Sequence, residues 1–145
     1  MESSGLRGLN RRALSESLKS HAQTAQEAVS SIMGIRQTLL SAVLFDIPPV
    51  CWPAVAGVAE RPRPHRDAYI IVLLPGESTI AKQHDLLLLP LSLTGDPIVS
   101  AVDVEGKVLH VGWQAQYYFQ VHETCKFRVS GRGRVSALCV VFPRT

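Results

Sequence analysis

Cys125-Lys126-Phe127-Arg128-Val129-Ser130-Gly131-Arg132-Gly133-Arg134-Val135-Ser136-Ala137-Leu138-Cys139-Val140-Val141-Phe142 decides how the second half of this chain is read. Its first six residues alternate, which puts Cys125, Phe127 and Val129 on one face of a strand and Lys126, Arg128 and Ser130 on the other. The almost wholly apolar residues 135–142 have the pattern of a strand covered on both faces. Between them, two glycines within Gly131-Arg132-Gly133 signal a turn. The stretch therefore predicts a terminal hairpin with one basic outer face and one central strand.

Upstream, residues 68–74 and 86–93 are continuous apolar runs bounded by Pro75-Gly76 and Thr94-Gly95-Asp96-Pro97, and they read as strands. Pro90 pushes the second toward an edge or a bulge. Residues 98–104 and 108–113 flank Glu105-Gly106-Lys107, a short hairpin signal. Tyr117, Phe119 and Val121 then alternate with Tyr118, Gln120 and His122. Many short strands with no helix between them for parallel crossovers imply an antiparallel sandwich of jelly-roll or Greek-key type over residues 68–145. Residues 102–108 and 127–135 resemble parts of nucleoplasmin-type jelly rolls, but the acidic tracts of that family are missing, so no family follows from them.

Before the sheet, Leu14, Leu18, His21, Ala25, Ala28, Ile32, Ile35, Leu39 and Ala42 are separated by alternating steps of four and three. That spacing keeps one seam of a helix facing a neighbour. Glu16, Lys19, Gln23, Glu27 and Gln37 fall on the opposite side. A long amphipathic helix is expected over residues 10–45, after a short flexible start at 1–9 and before a proline-rich connection at 46–67. Asp46-Ile47-Pro48-Pro49 ends it, because proline lacks the amide donor. The resulting fold class is α+β, mainly β: a long N-terminal helix followed by an antiparallel sandwich. Isoleucine at both seam positions leans toward more than two strands, so a homotrimer or a partner helix is expected. The competing reading packs the same stripe on the chain's own sheet, since Ala22, Val29 and Val43 widen it.

Composition narrows the classes further. The chain has 145 residues, 46% hydrophobic and 19% charged, enough for one core and unlike a disordered chain. Its apolar runs fall well short of the roughly 20 residues of a membrane-spanning helix. No cleavable leader is visible, so synthesis in the cytosol is expected. Cys51, Cys125 and Cys139 lack paired metal spacing and are an odd number, which points to buried reduced thiols. The net charge of +3 is unevenly spread: residues 124–145 hold five basic and no acidic side chains. Residues 68–123 hold six acidic against two basic ones.

Each catalytic candidate has a simpler explanation. His84 and Asp85 are neighbours whose side chains point apart in an extended segment, and His110, His122 and Glu123 do not share one strand face. No catalytic residue, metal or cofactor is therefore expected. Lys126, Arg128, Arg132 and Arg134 are the candidate contacts for an anion or nucleic acid, with Tyr118 as a stacking ring. The leading expectation is a non-enzymatic assembly protein, of the kind found as a capsid, protrusion or attachment subunit in a virion. A nucleic-acid-binding module and a small-ligand-binding barrel are the alternatives.

Overall fold

Two strands of 19 residues, β5 (His84–Val102) and β8 (Cys125–Pro143), organise the computed structural model of this protein. The structure describes residues 9–30, 42–58, 67–80, 84–103, 105–113, 117–121 and 125–143. β5 and β8 pair antiparallel from His84 opposite Pro143 to Val102 opposite Lys126, with one register shift between Pro90 and Leu93. Neither of the two turns expected from the sequence interrupts them. Gly95 lies opposite Gly133, Asp96 opposite Arg132 and Pro97 opposite Gly131, all within the ladder. Positive φ at Gly95, Gly131 and Gly133 lets both strands bend there without ending.

The bend lets each long strand serve two layers. In the first layer the order is β1 (Leu9–Ala13), β7 (Tyr117–Val121), β5, β8, β3 (Asp67–Leu73) and β2 (Ala42–Phe45). In the second, β6 (Val108–Val111) flanks the later half of β5 and β4 (Gly76–Ile80) flanks the earlier half of β8. Asp103 Oδ1 accepts the amides of Glu105 and Lys107 at 2.9 Å each and closes the hairpin between β5 and β6. The layers face each other across one apolar cluster. Ile71, Leu88, Phe119 and Cys139 come from the first, and Val99, Val111 and Phe127 from the second.

The outer side of the first layer carries Ile70, Leu89, Leu138, Val140 and Phe142, and the helices lie on it. Helix α1 (Glu16–Val29) starts where the Ser15 hydroxyl accepts the Leu18 amide, with Glu16 favourably placed in the first turn. Steps of four and three then bring Leu18, Ala22, Ala25 and Val29 to one buried face. A 3-10 turn at Pro49–Cys51 leads into α2 (Trp52–Val58), which buries Ala54 and Val55 beside α1. The double proline thus opens a helical segment as well as blocking one, since proline suits a first helical position. Ser92 and Ser136 fasten α1 to the sheet. The Ser92 amide donates to Ser136 Oγ at 3.1 Å, and the Ser92 hydroxyl donates to the Gln26 carbonyl at 3.3 Å.

The expected fold class is corrected by these elements. Residues 9–13 and 42–45, both largely assigned to one long helix, are the two edge strands of the first layer, and α1 is 14 residues long. The structure is mostly antiparallel sheet with two short helices, instead of a long helix followed by a sandwich. The physical reason lies in the spacing itself, which serves a helix on a sheet as well as a helix in a coiled coil. No helix among the described residues is long and apolar enough to cross a membrane.

Candidate functional site

The seam residues are placed by α1 and its surroundings. Leu14, Leu18 and Ala25 are buried against the chain's own sheet and α2, and Ala28 packs at their margin. His21 is half-buried on α1, Ala42 belongs to β2, and Ile32, Ile35 and Leu39 lie outside the described residues. What the structure shows of the stripe is therefore contact within one chain.

The basic residues do not gather into one stripe. On the outer surface of the second layer, Glu77 receives Arg128 through Nε at 3.0 Å and Nη2 at 2.8 Å, and Lys126 Nζ at 3.5 Å. The hydrogen bond from Arg128, followed by the charges of Arg128 and Lys126, holds the Glu77 carboxyl below the usual carboxylate range. The group is 40% exposed, so solvent screens the pair. Arg132 and Arg134 stand at the bend, opposite Asp96 and Thr94. Tyr118 packs toward the helix layer, away from Lys126. His110 shares a 3.1 Å hydrogen bond with Ser100 on the same outer surface.

The interior between the layers is chemically quiet. Its thiols, Cys125 and Cys139, are both 4% exposed; burial pushes each up to about 12, with the Asp103 charge adding to Cys125. Cys51, under the helices, is raised by burial too. At pH 8 a thiol with a pKa near 12 is thiolate in roughly one molecule in ten thousand. A disulfide-exchange reagent at pH 8 is therefore expected to leave Cys125 and Cys139 unmodified in the native protein and to titrate all three thiols after denaturation. Rapid native labelling would contradict this packing.

One end of the barrel differs from the rest. There β4 ends at Ile80 opposite Cys125, and β7 ends at Val121 opposite Leu86. The passages from β4 to β5 and from β7 to β8 therefore leave from neighbouring strand ends. In sequence they carry His84 on the β5 side and His122-Glu123 directly after Val121. His122 and Glu123 themselves lie outside the described residues. Asp85 shares the strand face of Leu87 and Leu89, which pack toward the helices, so it points out of the barrel.

On the edge of the first layer, sequence reasoning passed over Arg11. Its guanidinium carbon sits 4.5 Å from the centre of the Tyr117 ring. The pairing of Arg11 with Phe119 gives it the inward face of the sheet. Alternation within Leu9-Asn10-Arg11-Arg12-Ala13 was the only available signal, and a helix had been assigned to most of it.

No family model matches the chain, and no curated protein matches it. Among solved structures it is similar to the crystal structure of a Pseudomonas putida prolyl-4-hydroxylase, with a TM-score of 0.56 and 10% identity, over 95% of this chain and 93% of that one. It also matches a crystal structure of Fe(II)-HppE with the alternative substrate (S)-1-HPP, with a TM-score of 0.46 and 14% identity, over 76% of this chain and 54% of that one. Among the described residues no three metal-ligating side chains converge.

The likeness to the hydroxylase overturns the expectation of a non-enzymatic capsid, protrusion or attachment subunit. Neither a long coiled-coil helix nor any virion feature supports it among the described residues. The fold shown by this chain is the one on which that prolyl-4-hydroxylase is built.

Proposed function

We propose that this chain is an enzyme of the oxygenase plan whose reaction takes place at the barrel end where β4 passes to β5 and β7 to β8. The observation that carries the reading is the near-complete overlap with the prolyl-4-hydroxylase. It is supported by the neighbouring ends of β4 and β7, from which leave the two passages that carry His84, His122 and Glu123 in sequence. Two imidazoles and a carboxylate are a suitable donor set for a divalent transition metal, and each is also a proton carrier near neutral pH. Among the described residues the interior cluster is apolar, and burial keeps its thiols protonated.

The test is metal uptake. Titration of the full chain with Co(II), followed by visible absorption, is expected to give one site per chain, and Fe(II) under anaerobic conditions is expected to compete for it. His84→Ala and His122→Ala should each weaken uptake about tenfold or more, as loss of a ligand does in a three-donor site. His21→Ala on α1 and His110→Ala on the outer surface should leave it unchanged. A chain that takes up no metal, or binds it equally well after both His84→Ala and His122→Ala, overturns the reading.

A further inference from the structure

The first layer has two rims, β1 and β2, and they differ in kind. An edge strand offers unpaired amides and carbonyls to any other strand, and charged side chains, proline or a bulge deter such pairing. β1 carries Arg11 and Arg12, the first over the Tyr117 ring and the second donating to Gln120 Oε1. β2 reads Ala42-Val43-Leu44-Phe45, with no charge, proline or glycine in it. One side of it pairs with β3, and among the described residues no strand pairs with the other side. Ala42 packs against the interior cluster, whereas Val43 and Phe45 pack beside Val72 and Leu74 on the opposite face. Leu44 therefore shares the inward face of Ala42. It is nevertheless 55% exposed, while Ile71 across the ladder is 7% exposed. This rim combines open backbone groups with an uncovered leucine.

The geometry points to a second copy of this chain as the occupant: two β2 strands pair antiparallel across a two-fold axis and join the first layers of two molecules into one sheet. An axis normal to the sheet keeps each face on its own side, so residues that meet must share a face. With the axis at Leu44, that leucine meets its own counterpart, Val43 meets Phe45, and Ala42 meets Asp46. The two Asp46 carboxylates then lie four residues apart along the strands, about 14 Å, which is beyond the reach of unscreened repulsion at physiological salt. The same operation at β1 sets the arginines of one copy beside those of the other, and like charges so placed are destabilising. Pairing β1 on β2 instead presses arginines against Leu44 and leaves open ends at which further copies add. Only β2 on β2 is closed, neutral along its centre and covers both leucines. The contact is short against the roughly 800 Å² per partner of a typical stable complex, so the dimer is expected at micromolar concentrations.

Sedimentation of the full chain from about 5 to 200 μM tests this, with the mass expected to rise from one copy toward two. Leu44→Lys should weaken association about tenfold or more with thermal unfolding unaltered, because it sets two ammonium groups at the axis. Val108→Lys, at an exposed position on β6 of the second layer, should leave association unchanged. Leu44→Cys reports the register. Facing residues of an antiparallel pair have Cα atoms about 4.5–5.5 Å apart, within disulfide reach, so mild oxidation should give a covalent dimer. The native chain, whose three cysteines are buried, should give none. If Leu44→Lys lowers the unfolding temperature, the cysteine variant decides. A chain that stays single throughout this range overturns the proposal and leaves the rim to a strand of another protein. Association that Leu44→Lys leaves untouched, or a Leu44→Cys chain that dimerises without cross-linking, overturns it as well.

Discussion

Gly133→Ala is expected to destabilise the protein by about 2 to 6 kcal/mol, a large part of the roughly 5–15 kcal/mol that holds a domain of this kind together. Gly133 has φ of 129°, a region that side-chain-bearing residues rarely adopt. A Cβ there would collide with the backbone carbonyl oxygen of Thr94 and lie 3.0 Å from its carbon. Thr94 is part of the ladder, so relief requires moving β5 away from β8 at the bend that forms both layers. Gly106 provides the comparison: its φ is 86°, but nothing lies within 4 Å of an added Cβ. Gly106→Ala is expected to cost only about 1–2 kcal/mol, from the left-handed backbone alone. Urea unfolding of the two variants checks the difference, and equal midpoints would show that the strands do not approach each other here as described.

That bend explains what could be read from the sequence and what could not. Alternation located Cys125, Phe127 and Val129 on a covered face, and they are buried. The runs at 86–93 and 135–142 are strand, and the register shifts beside Pro90, where proline removes a ladder donor. Gly95, Gly131 and Gly133, however, have the composition of turns. Only the pairing of 94–97 with 131–134, between segments more than thirty residues apart, shows that they bend continuous strands. Local sequence holds no record of that pairing.

The same limit governed α1 and the site. Leu18, Ala25 and their neighbours identified a buried face correctly, but periodicity does not name what covers it, and the cover is Leu89, Leu138 and Val140 of the same chain. The basic character of Lys126 and Arg128 was plain, whereas their partner Glu77 lies about fifty residues upstream on an adjoining strand. Arg11 stayed hidden because β1 pairs with β7 across more than a hundred residues. His84 was visible as chemistry, and what the sequence lacked was the pairing that sets the end of β7 opposite the start of its strand.

Phe127→Ala is expected to cost about 3–5 kcal/mol, with the transition followed by tryptophan fluorescence during chemical denaturation. Phe127 is 1% exposed and lies opposite Ser78 of β4 and Ala101 of β5. Its ring meets Trp113 edge-on, with centroids 6.3 Å apart and planes at 81°. Trp113 is itself fixed, because its indole N–H donates to the Ser136 carbonyl at 2.8 Å. Truncation therefore removes burial and an aromatic pair worth about 0.5–1.5 kcal/mol, and the anchored indole is poorly placed to fill the space. Phe127→Leu, which keeps most of the volume, should cost less than half as much. Arg128→Ala, one residue away but facing solvent, should cost at most about 1 kcal/mol. A loss below about 1.5 kcal/mol for Phe127→Ala would mean that the space between β4 and β8 is loosely filled and open to a ligand. The expected larger loss means that this part of the interior is closed by packing.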